Sequence, residues 1–225
     1  MKSLEYQEPG FSKKGVLLWD IDGTLIEKSG ANKKSRHHEV LGVKEDWFPD
    51  SSLQGLSDWE VLTEIGNRYK ISSEAINLAF NKLLVDSDFA YYESYKLCNG
   101  VNEDLFKIIS KDWELGILTG NTENRTLLKL NSAGIEKYFD SEYFFTCRRK
   151  ESRIDIGLRA KTKLLTKHIV LIGDTPRDIE LAKIVGWKII SVTTGNFDYE
   201  SLINLNPDFL LNNCGSELYS ILEKL

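Results

Sequence analysis

The sequence predicts a doubly wound parallel α/β core interrupted once by a helical insertion. Three observations carry that expectation: short apolar runs ending in polar clusters, helical patterns between them, and one long stretch without any strand pattern. The runs are Val16–Trp19, Leu115–Leu118 and Ile169–Ile172, followed by Lys188–Val192 and Phe209–Leu211. Strands that are apolar almost throughout, rather than alternating, suit a parallel sheet covered on both faces.

The helical patterns follow in order. After Leu118, Asn121 or Thr122 can cap a helix whose apolar side holds Leu127, Leu128 and Leu130, with Gly134 suited to its end. Arg177–Val185 repeats the pattern with Ile179, Leu181, Ala182 and Val185 inward and Gly186 closing. From Ser29 to Asn99 only helical candidates occur. Ser57 precedes Trp59, Val61, Leu62 and Ile65, and Ser72 or Ser73 precedes Ile76, Ala79, Phe80 and Leu83. Such an insert is too long for a loop. The expected division is therefore a core of residues 1–28 and 100–225 and a helical cap of 29–99. Hinges are expected near Ser29-Gly30 and Asn99-Gly100, where glycine absorbs dihedral change.

Composition narrows the function classes. With 29 Lys+Arg against 34 Asp+Glu, the net charge is −5, which speaks against broad binding to nucleic acid or an anionic membrane. The amino-terminal residues carry Glu5 and Glu8 with no apolar signal core, and no apolar run is long enough to span a bilayer. Cys98, Cys147 and Cys214 lack both metal spacing and an even count, as expected of reduced thiols in a cytoplasmic protein. Monomer and homodimer are both compatible with the sequence.

In an open α/β sheet, ligands bind where the carboxyl ends of the strands meet. Those ends run into Asp20-Ile21-Asp22-Gly23-Thr24, into Thr119-Gly120-Asn121, and into Gly173-Asp174-Thr175-Pro176-Arg177-Asp178. Four carboxylates are thereby expected on one rim. Two like charges ~4 Å apart repel by about 4 kcal/mol at an effective dielectric near 20. The cluster must take up protons or hold a cation, and all-oxygen donors favour Mg²⁺ over zinc.

These three segments, in this order and strand context, resemble motifs I, II and IV of the haloacid dehalogenase-like hydrolase superfamily, and the insert resembles its C1 cap. The resemblance covers essentially the whole chain and implies a Rossmann-like core. Its Asp-x-Asp-Gly-Thr signature is similar to that of phosphatases and phosphomutases. It implies a small phosphorylated substrate, with Asp20 as nucleophile and Asp22 as general acid and base. Mg²⁺ would be held by Asp20, Asp174 and the backbone carbonyl of Asp22, with Asp178 a ligand or the partner of one. Thr119 and the backbone around Gly120 and Asn121 would receive the phosphoryl oxygens.

Motif III departs from the family pattern, since no Lys-Pro pair occurs. Counting back through the helix Ile154–Leu165 puts Arg153 at the matching place, with Lys150 and Lys161 as alternatives. A second Thr-Gly-Asn at 194–196 rivals 119–121, although its position suits a later loop better. Gln54-Gly55-Leu56-Ser57-Asp58 resembles the substrate-specificity loop of C1-capped phosphatases, Trp59 reads as cap core, and His37 and His38 read as surface residues. A phosphatase is the expected activity. A phosphomutase of the β-phosphoglucomutase kind is the alternative, and a phospho-accepting module without turnover a more distant one.

Overall fold

The computed structural model describes residues 13–28, 35–44, 51–92, 95–165 and 167–225. In chain order the elements begin with β1 (Gly15–Trp19), β2 (Ile26–Lys28), α1 (Arg36–Leu41), α2 (Asp58–Arg68), α3 (Ser73–Leu84) and α4 (Phe89–Tyr92). Then come β3 (Tyr95–Leu97), α5 (Glu103–Ile109), β4 (Trp113–Leu118), α6 (Glu123–Ser132), β5 (Phe144–Phe145) and α7 (Arg153–Lys163). The chain closes with β6 (Ile169–Gly173), α8 (Pro176–Val185), β7 (Lys188–Val192), α9 (Tyr199–Ile203), β8 (Phe209–Leu211) and α10 (Ser216–Lys224).

Six strands form one sheet in the order β5-β4-β1-β6-β7-β8, and every pairing is parallel. The chain moves outward from β1 to β4 and β5 on one side, and through β6 to β8 on the other. This reversal around β1 opens a crevice at the strands' carboxyl ends.

Burial on both faces explains the unbroken apolar runs. Leu17 and Trp19 pack with Phe106 of α5 and Leu218 of α10, whereas Val16 and Leu18 pack with Ile156 of α7 and Ile179 of α8. Alternate side chains of one strand thus enter two different cores, so neither set is free to be polar. The apolar sides of α2 and α3, including Leu62, Ile76, Phe80 and Leu83, join the second core.

The expected caps form at α2 and α3, whereas Thr122 takes the N-cap position of α6 without a capping hydrogen bond at its side chain. Ser57 accepts a hydrogen bond from Glu60 N, and Ser72 from Ala75 N. Gly134 and Gly186 end their helices with positive φ.

Three short strands, Ile26–Lys28, Tyr95–Leu97 and Phe144–Phe145, are missing from the sequence expectation. Tyr95–Leu97 pairs antiparallel with Ile26–Lys28, inside a stretch expected to be helical only. Phe144–Phe145 forms an edge of the main sheet. Strands of three and two residues are too short to display a period. Asn99-Gly100 forms the expected turn, with Gly100 at φ +85°, while Ser29-Gly30 lies outside the described residues. Among the described residues no helix is long and apolar enough to cross a membrane. Cys98, Cys147 and Cys214 are buried free thiols.

Candidate active site

Asp20 is the first residue past β1, and its N–H is held by Ile172 O of β6 at 2.9 Å. The chain then folds back, because Ile21 O accepts from Thr24, Leu25 and Ile26 N. Gly23 makes this turn possible. Its φ is +84°, and a Cβ there would lie 2.3 Å from Asp174 Oδ2. Across the crevice, Thr24 Oγ1 donates to Asp174 Oδ1 at 2.8 Å. Asp178 sits one turn into α8, where its Oδ2 accepts from Thr175 N (3.1 Å) and Thr175 Oγ1 (2.7 Å).

Asp20, Asp174 and Asp178 each present a carboxylate oxygen within 4.8 Å of the others, and all three are buried. Burial and the Asp178 and Asp22 charges push the Asp20 carboxyl up to about 7, against the pull of Arg153. Burial and the charges of Asp20, Asp178 and Asp22 hold Asp174 well above the ordinary carboxylate range. Carboxylate oxygens buried this close together are stabilised by a hard dication, so the donor set fits a metal site.

The Asp22 side chain lines the same crevice but stands apart from this trio. Its side chain is 46% exposed and opens into the crevice. There it accepts from Lys129 Nζ at 2.7 and 2.6 Å and from Asn121 Nδ2 at 2.8 Å. Although desolvation raises it, the Lys129 ammonium and these bonds bring the Asp22 carboxyl below its usual value.

At the end of β4, Thr119 Oγ1 accepts from Asn121 Nδ2 at 2.8 Å, and Asn121 Oδ1 accepts from Lys129 Nζ at 2.7 Å. Asn121 therefore orients both the Thr119 hydroxyl and Asp22. The N–H of Thr122, at the start of α6, is engaged by Asp58 Oδ2 at 2.7 Å. That helix terminus is shared with a protein carboxylate.

Arg153 reaches the centre of the site, whereas Lys150 and Lys161 are exposed outside it. Its Nη2 donates to Asp20 Oδ1 at 3.1 Å and to Asp178 Oδ1 at 2.6 Å. Its Nε is buried with no partner among the described residues. Thr194-Gly195-Asn196 lies at the opposite wall. Thr194 Oγ1 donates to Gly23 O at 2.6 Å, and a Cβ on Gly195 would meet Asp174 Oδ2 at 1.7 Å. This second Thr-Gly-Asn walls in Asp174; the helix behind it is capped by Asp198.

Asp20, Asp174 and Arg153 line a cavity of about 510 Å³ together with Gln54, His37, Tyr95 and Arg125. His37 is not an ordinary surface residue, as its Nε2 lies 2.8 Å from Asp58 Oδ1 and 3.2 Å from Arg125 Nη1. Lys129, Arg125 and Asp58 are the residues the motifs do not announce. The one signal for Asp58 is its place in the 54–58 loop, of which Gln54, Gly55, Leu56 and Asp58 line the cavity. Trp59 packs edge-on against Phe80, as expected of a core residue.

A family model described as haloacid dehalogenase-like hydrolase matches residues 17–192. The phosphoglycolate phosphatase of Synechococcus elongatus is 30% identical over 116 residues, about half of each chain (52% of this one and 55% of that protein). Pyrophosphatase PpaX of Listeria monocytogenes serotype 4a is 24% identical over 208 residues, 87% of this chain and 91% of its own. Among solved structures, a predicted phosphatase from Clostridium acetobutylicum superposes with a TM-score of 0.72 at 20% identity, covering 95% of this chain and all (100%) of the other. A hydrolase from Pseudomonas syringae gives 0.68 at 15% identity, covering 93% and 98%.

Proposed function

Because the chain belongs to the haloacid dehalogenase-like hydrolases, we propose that it is a Mg²⁺-dependent phosphatase of a small phosphorylated metabolite, acting through an aspartyl phosphate on Asp20. The observation that supports this most is Arg153. Its guanidinium already touches Asp20 and Asp178, and the partnerless Nε is a spare donor beside the nucleophile. A fork of this kind suits the equatorial oxygens of a phosphoryl group.

A phosphomonoester dianion repels an anionic nucleophile, so its charge must be met before attack. Mg²⁺, held by Asp20, Asp174 and the Asp22 carbonyl with Asp178 beside them, would supply that neutralisation when bound. Arg153 and the Thr119 hydroxyl receive the remaining oxygens. A carboxylate oxygen of Asp20 forms a bond to phosphorus as the ester P–O bond breaks. Asp22 rests ionised beside Lys129, the approach of the phosphate dianion favours uptake of a proton by its carboxyl, and the leaving oxygen takes that proton. Asp22, now ionised and held by Lys129 and Asn121, takes a proton from water as that water attacks phosphorus. The P–O bond to Asp20 then breaks, inorganic phosphate leaves, and the carboxylate is restored. Residues 29–99 would serve as the cap that closes the leaving-group end of the cavity.

Phosphate release from a panel of phosphometabolites, with Mg²⁺ and with EDTA, tests this. Repeated turnover that EDTA abolishes is the expected result. A folded, Mg²⁺-binding protein that releases phosphate from none of them overturns it, and isomerisation of a sugar phosphate dependent on a bisphosphate would establish the mutase instead.

The raised Asp20 carboxyl adds a pH dependence. In the metal-free protein its protonated form favours the fold below the ordinary value of 3.8, and that contribution is lost as pH rises through about 7. Magnesium requires the carboxylate, so below that value its affinity should rise about tenfold per pH unit for each proton displaced. The Mg²⁺-induced increase in Tm is therefore expected to be larger at pH 8 than at pH 6. An increment that is flat or falls with pH, measured by thermal melts with and without the metal, contradicts the placement of the metal at Asp20.

A further inference from the structure

The first N–H groups of a helix have no partner within it. At the start of α7 the flanking Ser152 and Asp155 cap one another, with Asp155 N donating to Ser152 Oγ at 3.1 Å and Ser152 N to Asp155 Oδ2 at 2.8 Å. The N–H of Arg153 goes elsewhere. It donates to Glu60 Oε2 at 2.9 Å, across ninety-three positions of sequence.

Glu60 already has a local task in α2. The same Oε2 accepts from Ser57 N at 2.9 Å, and Ser57 Oγ accepts from Glu60 N at 3.2 Å, a reciprocal cap. Closing α2 needs nothing further, yet the carboxylate oxygen also takes the N–H of Arg153. Ser57 Oγ in turn donates to Glu151 O at 2.7 Å, so the same cap grips the α7 approach at a second point. One carboxylate thereby joins the 54–60 segment to the backbone of the residue whose guanidinium meets Asp20 and Asp178.

The consequence is mechanical. The Arg153 side chain is 3% exposed and held among its neighbours, and it reaches from its Cα to bonds of 3.1 and 2.6 Å on two buried carboxylates. A displacement of the helix start by a fraction of an ångström is carried to the guanidinium, and misplacement by about 1 Å can cost 10²-fold in rate. We infer, on the basis of the phosphatase reaction proposed above, that Glu60 is a positioning residue for Arg153: it sets where α7 begins and so where the transferred phosphoryl group is received. Glu60 touches no reacting atom itself.

The test compares wild type with Glu60→Ala, Glu60→Gln and Glu60→Asp, and with Glu60→Ala in an Arg153→Ala background. The readouts are kcat, KM, Tm, and the affinity for inorganic phosphate in Mg²⁺. Glu60→Ala is expected to weaken phosphate binding and lower kcat/KM by about tenfold or more, whereas Glu60→Gln, which keeps an oxygen acceptor at the same reach, stays within about threefold of wild type. Glu60→Asp keeps the charge but withdraws the acceptor by one methylene, and should resemble the alanine variant. It carries the test if Glu60→Ala does not fold. With Arg153 already removed, Glu60→Ala should change phosphate affinity by less than about twofold, because coupled residues are not additive.

A fall in Tm with unchanged phosphate affinity would overturn the inference, as would an equal loss with Arg153 absent. Either result leaves the phosphatase standing. A wild type that neither binds phosphate nor turns over removes both.

Discussion

Asp20→Asn is expected to lower turnover by about 10⁴-fold or more while leaving the fold intact. The amide presents no anionic oxygen to phosphorus, so covalent transfer has nowhere to begin. Stability points the other way. In the metal-free protein Asp20 is buried beside Asp174 and Asp178, with its carboxyl pushed up to about 7. Replacing it with a neutral group of the same shape removes a desolvation cost and a repulsion. The amide oxygen can still accept from Arg153 Nη2, which also keeps its 2.6 Å bond to Asp178. Without metal, the variant should therefore melt at or above the wild-type temperature, and its Mg²⁺-induced increment should shrink. Activity assays paired with melts separate the two effects. A folded variant retaining more than about a hundredth of wild-type turnover would place the nucleophile elsewhere.

The residues that could be read from sequence share a physical reason. Val16–Trp19 and Ile169–Gly173 are buried on both faces and so must be apolar throughout. Asp20 and Asp174 immediately follow them and inherit their position from the strands. Arg153 was reachable because α7 has a fixed length between it and β6. Lys129 was not. A lysine on an amphipathic helix ordinarily reads as solvated, yet its side chain is 3% exposed because Asp22 and Asn121 supply oxygens inside the crevice. His37 was misplaced for a similar reason: its surroundings are made by Asp58 and Arg125, which are distant in sequence. Short elements failed differently. Tyr95–Leu97 exists as a strand only because Ile26–Lys28 lies beside it.

The contact between Asp58 and Arg125 should carry the largest single effect on stability. Their side chains are 4% and 5% exposed, and Asp58 Oδ1 meets both Arg125 Nη1 and His37. The other oxygen holds the N–H of Thr122 at 2.7 Å. Asp58→Ala leaves a buried guanidinium whose remaining side-chain partners are His37 and the Tyr92 hydroxyl, the latter already committed to Asp86 at 2.8 Å. It also leaves an N–H at the start of α6 unpaired. Breaking one partner of a buried pair costs about 3–5 kcal/mol. At roughly 2–4 °C per kcal/mol for a chain of this size, Tm should fall by about 6–20 °C. Adding Arg125→Met removes the stranded charge, so the double variant should be more stable than the sum of the two single losses predicts. The pH dependence has a definite sign. Burial raises the Asp58 carboxyl, but Arg125 and His37 hold it well below the usual range. Its contribution is therefore complete above the ordinary value of 3.8 and is lost as pH falls through the folded-state value. Urea unfolding at pH 7 and at pH 8, both above the ordinary 6.5 of the neighbouring His37, should thus give the same difference between wild type and Asp58→Ala. Additive losses in the double variant, or a single-variant loss below about 1 kcal/mol, would show that the guanidinium finds adequate solvation in the cavity without Asp58.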